Sequence, residues 1–283
     1  MPDTPARRVL VTGGTGTLGR HVVTTLARRG GAALRVLSRR ERPPDLPTPV
    51  EWSRADLLSD ALEPALRDIH AVLHLASAKG AGDPDVGAAR RLLAAAIDAG
   101  VRHLVFVSII GCDRIPLPFY GSKVRIEAAV RASGVPWSIV RVAQFHSLVD
   151  RLVRAAAALP VPTPIVADLR FQPVDEREVA ERLVEIALGA LLGDAPEIAG
   201  PEVATLGELA ATWLSVTGRP ATLVPVSVDA LGSGDPAIPS PAPWARAVLE
   251  GYRAGWNTPR AECTRGRIRF GEWLAEQKKV APA

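Results

Sequence analysis

Short apolar runs alternate with longer amphipathic stretches through the first half of the chain. The apolar runs, which we predict to be strands, are 7–11, 33–37, 50–53, 71–75, 103–108 and 137–142. The stretches 18–29, 59–68, 85–99 and 119–133 have the apolar spacing of helices. Strands connected through helices of about 10–15 residues form right-handed crossovers and a parallel sheet. The alternation therefore predicts an α/β fold with a doubly wound parallel sheet.

The strand–helix rhythm ends after residue 142, and the second half is less regular. We predict helices at 147–159, 176–192, 206–217 and 265–277 and a short strand at 221–226. A proline-rich connector at 160–164 and a loop at 229–243 separate them. We therefore expect two parts, a core at 1–145 and a smaller C-terminal lobe at 146–283, with some segments of the lobe returning to the core.

A glycine-rich turn follows the first predicted strand. Gly13, Gly16 and Gly19 lie three residues apart between this strand and the first helix. In that context one glycine makes a tight turn, one lets the backbone approach a pyrophosphate, and one lets the helix pack closely. The turn indicates a Rossmann-type dinucleotide site, with a purely structural glycine turn as the alternative. Neighbouring residues predicted to join the cofactor site are Thr12, Thr17 and Leu18.

The end of the second predicted strand bears on which dinucleotide binds. An acidic residue there would accept a hydrogen bond from the ribose 2′-hydroxyl of NAD, but the chain has Ser38, Arg39 and Arg40. A guanidinium matches a 2′-phosphate in shape and charge. We therefore predict NADP(H) in preference to NAD(H). The alternative is two solvated arginines, because only four of the 34 basic residues are lysines and most arginines look compositional.

Composition excludes several other classes of protein. The formal net charge is +4 without a contiguous basic block, which argues against nucleic-acid binding. There is no run of the roughly 18 uncharged apolar residues that a membrane span needs, and no apolar signal segment near Met1. Cys112 and Cys263 form neither a disulfide framework nor a zinc motif. We expect a cytoplasmic protein with a small-molecule substrate, as a monomer or homodimer, and no metal.

Further segments match a known superfamily. The glycine turn is followed by Asp56 after the third strand and by His-Leu-Ala-Ser at 74–77 after the fourth. Other matching segments are 107–113, 118–123, 137–146 and 172–175. Over nearly its whole length the chain resembles the short-chain dehydrogenase/reductase superfamily, and more narrowly its atypical, NmrA-like branch. That branch includes NAD(P)H-binding regulators, quinone reductases and isoflavone-reductase-like enzymes.

The resemblance implies a role for each matching position. Asp56 would face the adenine amino group, Ser108 would lie near the nicotinamide, and Lys123 would hydrogen-bond the nicotinamide ribose. The adenine ribose would be lined by Leu75, Ala76 and Ser77. The nicotinamide would be flanked by Ala143, Gln144 and Phe145, which would also open the substrate pocket. Ordinary solvated or strand-end roles remain the alternatives for Asp56 and Ser108.

The catalytic pattern departs from the superfamily. There, a tyrosine four residues before the lysine donates a proton, and a nearby ammonium lowers the pKa of its phenol. Here Phe119 stands four residues before Lys123, and Tyr120 stands three before it. Tyr120 is a candidate acid, a pocket wall or a packing residue, and His146 is a candidate pocket acid or packing residue.

These residues lead to a functional expectation. Candidate catalytic residues are Lys123, Tyr120 and Ser108. The expected substrate pocket comprises Ser108, Tyr120, Gln144, Phe145 and His146, with parts of 160–175 and 229–256. We expect an NADP(H)-dependent oxidoreductase that transfers hydride to a small apolar or aromatic carbonyl, a quinone or an activated alkene. A non-catalytic NADP(H)-binding redox sensor is the alternative.

Overall fold

The computed structural model describes residues 7–44, 46, 49–77, 84–159, 161–233 and 240–280. The chain divides into two compact units. Unit 1 comprises Met1–Ser108, Gly121–Arg141 and Glu176–Ala195, and unit 2 comprises Ile109–Tyr120, Val142–Asp175 and Pro196–Ala283. The division at residue 145 into core and lobe stays a prediction.

The described strands and helices are as follows. The strands are β1 (Arg7–Thr12), β2 (Ala32–Ser38), β3 (Val50–Arg54), β4 (Ala71–His74), β5 (His103–Ile109), β6 (Trp137–Val142), β7 (Thr163–Val166), β8 (Arg170–Phe171), β9 (Gly193–Asp194), β10 (Ile198–Ala199), β11 (Ala204–Thr205), β12 (Leu223–Val226) and β13 (Thr264–Arg265). The helices are α1 (Thr17–Arg29), α2 (Glu63–Leu66), α3 (Pro84–Asp98), α4 (Pro118–Ala132), α5 (His146–Ala157), α6 (Glu176–Leu188), α7 (Leu206–Thr217), α8 (Pro243–Arg253) and α9 (Phe270–Val280).

Unit 1 is built on a sheet in the order β6-β5-β4-β1-β2-β3. The pairs β1–β2, β1–β4, β2–β3 and β4–β5 are parallel, and the short β9 runs parallel to β6. The predicted doubly wound parallel sheet is confirmed. The order in which successive strands are added to the sheet reverses between β1 and β4. In such sheets, ligands bind beyond the carboxyl ends of the strands at the point of reversal.

Helices cover both faces of this sheet. On one face Leu10, Val72 and Leu104 join a core with Leu92 of α3 and Ile126 of α4. The alternate residues of β1 and β4 are also fully buried, and α1 and α6 pack beside these strands. Each large aliphatic side chain buried in this way contributes about 1.5–3 kcal/mol to folding. The apolar runs of β1 and β4 are apolar because neither face of the sheet meets water there.

Unit 2 packs its helices around one tryptophan. Trp213 of α7 is fully buried among Val149 and Val153 of α5 and Phe270 and Leu274 of α9. Its indole Nε1 donates to an oxygen of the Asp150 carboxylate at 2.7 Å. Three short strand pairs complete the unit, namely β7–β12 and β10–β13, which are parallel, and β8–β11, which is antiparallel.

The predicted helix at 59–68 is wrong in extent, because only Glu63–Leu66 is helical. The preceding residues are held in a turn, in which the backbone NH of Asp60 donates to the carbonyl oxygen of Asp56 at 3.0 Å. Arg67 leaves the helical region of backbone conformation and ends the helix after one turn. Local hydrogen bonding by the two aspartates therefore competes successfully with helix formation.

The predicted proline connector at 160–164 is wrong in its last two residues. Strand β7 begins at Thr163, inside the predicted connector, and pairs in parallel with β12 in spite of the proline at 164. A two-stranded sheet leaves one side of each strand unpaired, so a missing NH is tolerated there. Helix α8 begins at Pro243, the last residue of the predicted loop at 229–243, and the sequence did not predict it. Residue 160 and residues 234–239 of these predictions lie outside the described residues.

Replacing Trp213 tests the packing of unit 2. We expect Trp213→Phe to lower the free energy of unfolding by about 1–3 kcal/mol, because it removes buried volume and a hydrogen bond. The matched control is Trp244→Phe, since Trp244 is 63% exposed and should change stability by less than about 0.5 kcal/mol. Urea denaturation measures both. Equal effects at the two positions would contradict this account of the core.

Candidate functional site

The glycine turn brings two main-chain segments into direct contact in unit 1. Gly13 has φ +73°, and a Cβ atom there would lie 2.7 Å from the backbone nitrogen of Ala76. A Cβ atom on Gly19 would lie 2.1 Å from the carbonyl oxygen of Gly13. Only glycine satisfies either position, since no side-chain atom fits at those distances. The end of β1, the start of α1 and the segment after β4 are therefore packed backbone to backbone.

The amino end of α1 faces solvent without a capping side chain. Gly16 precedes the helix in an extended conformation, and its NH donates to the carbonyl oxygen of Gly13 at 2.9 Å. The first turn of α1 has no acidic residue. Amide NH groups at such a helix start, together with the helix dipole, favour an anion. The predicted pyrophosphate position thus has the chemistry that the ligand requires.

A cleft of about 860 Å³ opens in unit 1 beside this turn. Its size is in the range of small-molecule and cofactor sites. The cleft is lined by Gly13, Thr15, Gly16, Thr17, Arg20, His21, Leu37, Ser38, Arg39, Arg40, Ala55, Asp56, Leu57, Leu58, His74, Leu75, Ala76, Ser77, Pro84, Asp85 and Ala88. Most of the predicted cofactor residues of unit 1 therefore surround one cavity, whereas Thr12, Leu18 and Gly19 are buried and do not line it.

The two predicted phosphate-binding arginines are exposed in this cleft. Neither the Arg39 nor the Arg40 guanidinium has a hydrogen bond or ion pair to another described residue. Nearby arginines differ, because Arg35 pairs with Glu51 at 2.6 Å and Arg54 pairs with Glu41. Arg39 and Arg40 therefore keep their full hydrogen-bonding capacity for an anion.

The loop that carries Asp56 is rigidly held. One Asp56 carboxylate oxygen accepts from the backbone NH of Leu58 at 2.9 Å, and the Asp56 NH donates to Asp60 at 2.8 Å. That backbone hydrogen bond is the main reason the pKa of Asp60 lies below its usual value. Arg91 donates to the carbonyl oxygens of Leu57 and Asp60 at 2.9 and 2.6 Å. Asp56 is thus presented at the cleft wall in a fixed position.

A buried hydrogen bond joins the ends of β1 and β4. The Thr12 hydroxyl lies 2.8 Å from Nδ1 of His74 and accepts from the NH of Ala76 at 3.3 Å. Burial, with the nearby charge of Lys123, lowers the pKa of His74 to about 3. His74 is therefore neutral at physiological pH and acts through hydrogen bonding rather than charge. On the cleft rim, the Ser77 hydroxyl donates to Asp85 at 2.8 Å.

Lys123 and Ser108 lie in unit 1 and are almost fully buried. The Lys123 ammonium donates to the carbonyl oxygen of Val107 at 3.3 Å and stands 5.0 Å from the centre of the Phe106 ring. Ser108 is hydrogen-bonded to the carboxylate of Glu127. Glu127 lies four residues after Lys123 on α4, so the two side chains project from the same side of that helix.

Glu127 is a buried carboxylate that Arg141 neutralises. Arg141 donates to both carboxylate oxygens, at 2.9 and 2.8 Å, and Arg131 adds a contact at 3.3 Å. Burial alone would raise the pKa of Glu127, but the hydrogen bonds from Arg141 and Ser108 outweigh it and hold the pKa below its usual value. An ionised carboxylate only accepts hydrogen bonds. Ser108 must therefore direct its proton toward Glu127.

A second polar cluster lies in unit 2 and contains Tyr120. The hydroxyls of Tyr120 and Tyr252 are 2.7 Å apart, and Nε2 of Gln144 donates to the Tyr120 oxygen at 3.2 Å. Asn257 Nδ2 donates to Gln144 Oε1 at 3.0 Å and to the carbonyl oxygen of Arg170 at 2.8 Å. Gln144 and Asn257 are buried. The structure thus brings the candidate acid together with Gln144.

The other predicted pocket residues of unit 2 are held by main-chain contacts or by packing. The NH of Ala143 donates to Ile198 at 2.8 Å, and Phe145 is bridged to Val174 ahead of α5. His146 is fully buried, and its Nε2 donates to the carbonyl oxygen of Ile268 at 3.0 Å. Its ring lies 5.7 Å from that of Phe270 and 5.9 Å from that of Trp273. These contacts match the packing alternative for His146.

Sequence reasoning missed Glu127 and Asn257, and it expected Tyr252 only as part of the pocket segment 229–256. Each of the three contacts a predicted site residue. Glu127 carried a usable signal, since it lies four residues after Lys123 and four before Arg131 on one helix, with its carboxylate between two cations. Tyr252 and Asn257 are more than a hundred residues from their partners, and no local pattern marks them.

Two searches of the described residues returned nothing. No group of three or more His, Cys, Asp or Glu side chains among them could hold a metal ion. None of the helices in the described ranges is both long and apolar enough to cross a membrane.

Comparisons with known proteins agree with this fold and with NAD(P)H binding. A family model described as NAD(P)H-binding matches residues 13–158. The (4-alkanoyl-5-oxo-2,5-dihydrofuran-3-yl)methyl phosphate reductase of Streptomyces griseus is 34% identical over 289 residues, covering 96% of this chain and 98% of the relative.

Solved structures show the same fold at lower identity. The NADPH-dependent quinone oxidoreductase of Escherichia coli, complexed with NADPH, superposes with a TM-score of 0.76 at 20% identity, covering 95% of this chain and 99% of the other. A nucleoside-diphosphate-sugar epimerase of Staphylococcus aureus gives 0.75 at 16% identity, with the same coverage. At 20% identity or less, these two likenesses establish the fold alone.

Adding a methyl group at the turn tests the close approach. We expect Gly13→Ala to weaken dinucleotide binding at least tenfold, because its Cβ atom collides with the backbone of Ala76. Gly30→Ala is the matched control, since Gly30 also has a positive φ, of +65°, but nothing within 4 Å of a Cβ atom. Calorimetric titration with NADPH measures both. Equal affinities for the two variants would show that the close approach does not shape the site.

Proposed function

The chain belongs to the NAD(P)H-binding family and is an NAD(P)H-dependent oxidoreductase, and we propose that it uses NADPH to reduce an activated alkene. The alkene would be a carbon–carbon double bond conjugated to a carbonyl group, as in an unsaturated lactone or a quinone. The observation that carries this proposal is the hydrogen bond from Ser108 to the buried Glu127 carboxylate. Because the Ser108 proton is donated to Glu127, it is not available to stabilise the oxygen of a carbonyl substrate.

The cleft of unit 1 supports the cofactor half of the proposal. An uncapped helix start, a glycine turn without room for a Cβ atom and two unpaired arginines suit a pyrophosphate and a 2′-phosphate. When bound, the cofactor supplies a hydride. Arg39 and Arg40 would hold the 2′-phosphate, Asp56 the adenine amino group, and Ser77 with its neighbours Leu75 and Ala76 the adenine ribose.

The nicotinamide half of the cofactor is assigned by resemblance. Lys123 would hydrogen-bond its ribose, and Ser108 would present an accepting oxygen near the carboxamide. The flanks of the ring would be formed by Ala143, Gln144 and Phe145. The substrate pocket would comprise Tyr120, Gln144 and Phe145, with His146 as a packing residue behind it.

The donor groups bear on the substrate. Reduction of an isolated carbonyl concentrates negative charge on one oxygen, and preorganised donors must stabilise it. Phe119 occupies the position of the superfamily tyrosine, and the Ser108 proton is directed at Glu127. Tyr120 remains as one neutral donor. An alkene conjugated to a carbonyl spreads the charge through its π system and needs less help, which favours that substrate class.

The Streptomyces griseus relative points the same way. Its name describes reduction of a 4-alkanoyl-5-oxo-2,5-dihydrofuran, and such a ring contains a double bond conjugated to carbonyl groups. We propose the same class of acceptor for this chain, with a small apolar or aromatic substituent.

Removing the unpaired arginines tests the cofactor preference. We expect Arg39→Ala and Arg40→Ala each to weaken NADPH binding about 5–30-fold while leaving NADH binding unchanged, because only NADPH carries the 2′-phosphate. Arg29→Ala, at an exposed position at the end of α1, removes the same charge elsewhere. Fluorescence titration of both cofactors measures the affinities. Equal loss for NADH would contradict the assignment.

A substrate panel together with Ser108→Ala tests the reaction. We expect NADPH oxidation with a 4-alkanoyl-5-oxo-2,5-dihydrofuran or a benzoquinone, and at least a hundredfold lower kcat/KM with cyclohexanone. Ser108→Ala should reduce kcat with the active substrate by less than about tenfold, since losing a true oxyanion donor costs about 100–1000-fold. Preferential reduction of cyclohexanone would overturn the proposal, and NADPH binding without turnover of any compound would favour a sensor.

A further inference from the structure

The hydrogen bonds around Tyr120 run in one direction, and a main-chain carbonyl sets that direction. The carbonyl oxygen of Arg170 only accepts, so the Asn257 amide must present its NH₂ group there, at 2.8 Å. The same nitrogen donates to Gln144 Oε1 at 3.0 Å. The Gln144 amide must then present its own nitrogen to the Tyr120 oxygen, at 3.2 Å.

This order makes the two tyrosines unequal. A phenolate at Tyr120 would accept from the Gln144 nitrogen and from the Tyr252 hydroxyl, 2.7 Å away. Among the described residues, a phenolate at Tyr252 has one side-chain donor, the Tyr120 hydroxyl. Hydrogen bonds to a charged oxygen are about twice as strong as neutral ones, so negative charge is more stable on Tyr120.

We propose that Tyr252 is a positioning residue that, with Gln144, stabilises Tyr120 as the proton donor of the reduction. This inference rests on the proposed function, because it assigns Tyr120 the proton that the reduced substrate takes up. Neither Tyr252 nor Asn257 belongs to the sequence motifs of the superfamily. In the superfamily the lysine ammonium, one helical turn away, assists the tyrosine. At Tyr120 two neutral donors, the Tyr252 hydroxyl and the Gln144 amide, take that role.

Burial and hydrogen bonding act in opposite directions on Tyr120. Burial raises the pKa of Tyr120 above its usual value, and the hydrogen bonds from Tyr252 and Gln144, which lower it, offset only part of that effect. The Cys112 thiol is a further titratable group, and it raises the pKa. The pKa of Tyr252 is raised by burial and further by the charge and hydrogen bond of Tyr120. Tyr120 is therefore the more acidic of the pair and is protonated at physiological pH, as a proton donor must be.

The proton step balances with the reactants already named. Hydride addition to the alkene carbon moves the π electrons onto the conjugated oxygen. The O–H bond of Tyr120 breaks as an O–H bond forms on that oxygen, giving an enol that tautomerises to the saturated carbonyl compound. Tyr252 and Gln144 hold the Tyr120 phenolate until a proton from water restores it.

Kinetics of three variants test the coupling. With NADPH and a 4-alkanoyl-5-oxo-2,5-dihydrofuran, we expect Tyr120→Phe to lower kcat about 100-fold and Tyr252→Phe about 10-fold, with KM within twofold of the parent protein. The double variant should be no slower than Tyr120→Phe, because Tyr252 acts only through Tyr120. Multiplied losses in the double variant, or an unchanged kcat in Tyr252→Phe, would overturn the proposal.

Two controls separate a positioning role from packing. The Tyr252 ring lies 5.3 Å from that of Phe171, and Tyr252→Phe preserves this contact, whereas Phe171→Leu disturbs it and keeps the hydroxyl. We expect Phe171→Leu to leave kcat within twofold. If Tyr252→Phe does not fold, Gln144→Leu removes the other donor to Tyr120 and should also lower kcat about 10-fold. Its KM is not constrained, because Gln144 also belongs to the proposed pocket. A kcat loss in Phe171→Leu equal to that in Tyr252→Phe would assign the effect to packing.

A spectroscopic test is independent of turnover. The chain has only two tyrosines, so uniform 3-fluorotyrosine labelling gives two ¹⁹F resonances, which the Tyr→Phe variants assign. On raising the pH, the Tyr120 resonance should begin to shift before that of Tyr252, and the start of this shift should move to higher pH in Tyr252→Phe. The reverse order, or an unchanged Tyr120 titration in that variant, would overturn the positioning role. Correct titrations with no turnover of any compound would remove the proposed function, and with it the acid role of Tyr120.

Discussion

The contact between the backbone at Gly13 and the backbone at Ala76 is the constraint on which unit 1 depends. It holds β1 and β4 together at the point where the order of the sheet reverses, and the buried Thr12–His74 hydrogen bond secures the same junction. The start of α1 and the cleft both follow from that junction. Because His74 stays neutral, the junction adds no charge to a site that already carries two unpaired arginines.

The sequence predicted the parts of the molecule whose information is local. Alternating apolar runs indicated the parallel sheet, and Gly13, Arg39 and Arg40 marked the cleft, because each belongs to a turn with a fixed position relative to its strand. Partners that are distant in sequence could not be found in this way. Glu127 meets Ser108 through the packing of α4, and Tyr252 and Asn257 reach Tyr120 and Gln144 only through the fold. The prediction at β7 was wrong for a similar reason, since the strand forms by pairing with β12, which lies about sixty residues later.

The hydrogen bonds of Ser108 and Tyr120 differ from those expected from the superfamily pattern. In the superfamily pattern a tyrosine four residues before the lysine donates the proton. Here the tyrosine stands one residue later, in a network of amides and a second phenol, and the Ser108 proton goes to a carboxylate held by Arg141. Both features weaken acid catalysis relative to that pattern. A substrate that delocalises its own charge fits the donors that remain.

The proposed binding of a 2′-phosphate by Arg39 and Arg40 would also make cofactor retention depend on the surrounding electrolyte. Both arginines are exposed, so their attraction for a phosphate is screened over a Debye length of about 8 Å at physiological ionic strength. Inorganic phosphate and other polyanions would compete for the same guanidinium groups. In the proposed role of these arginines, the fraction of protein that carries a cofactor would therefore reflect the anions around it as well as the ratio of the dinucleotides.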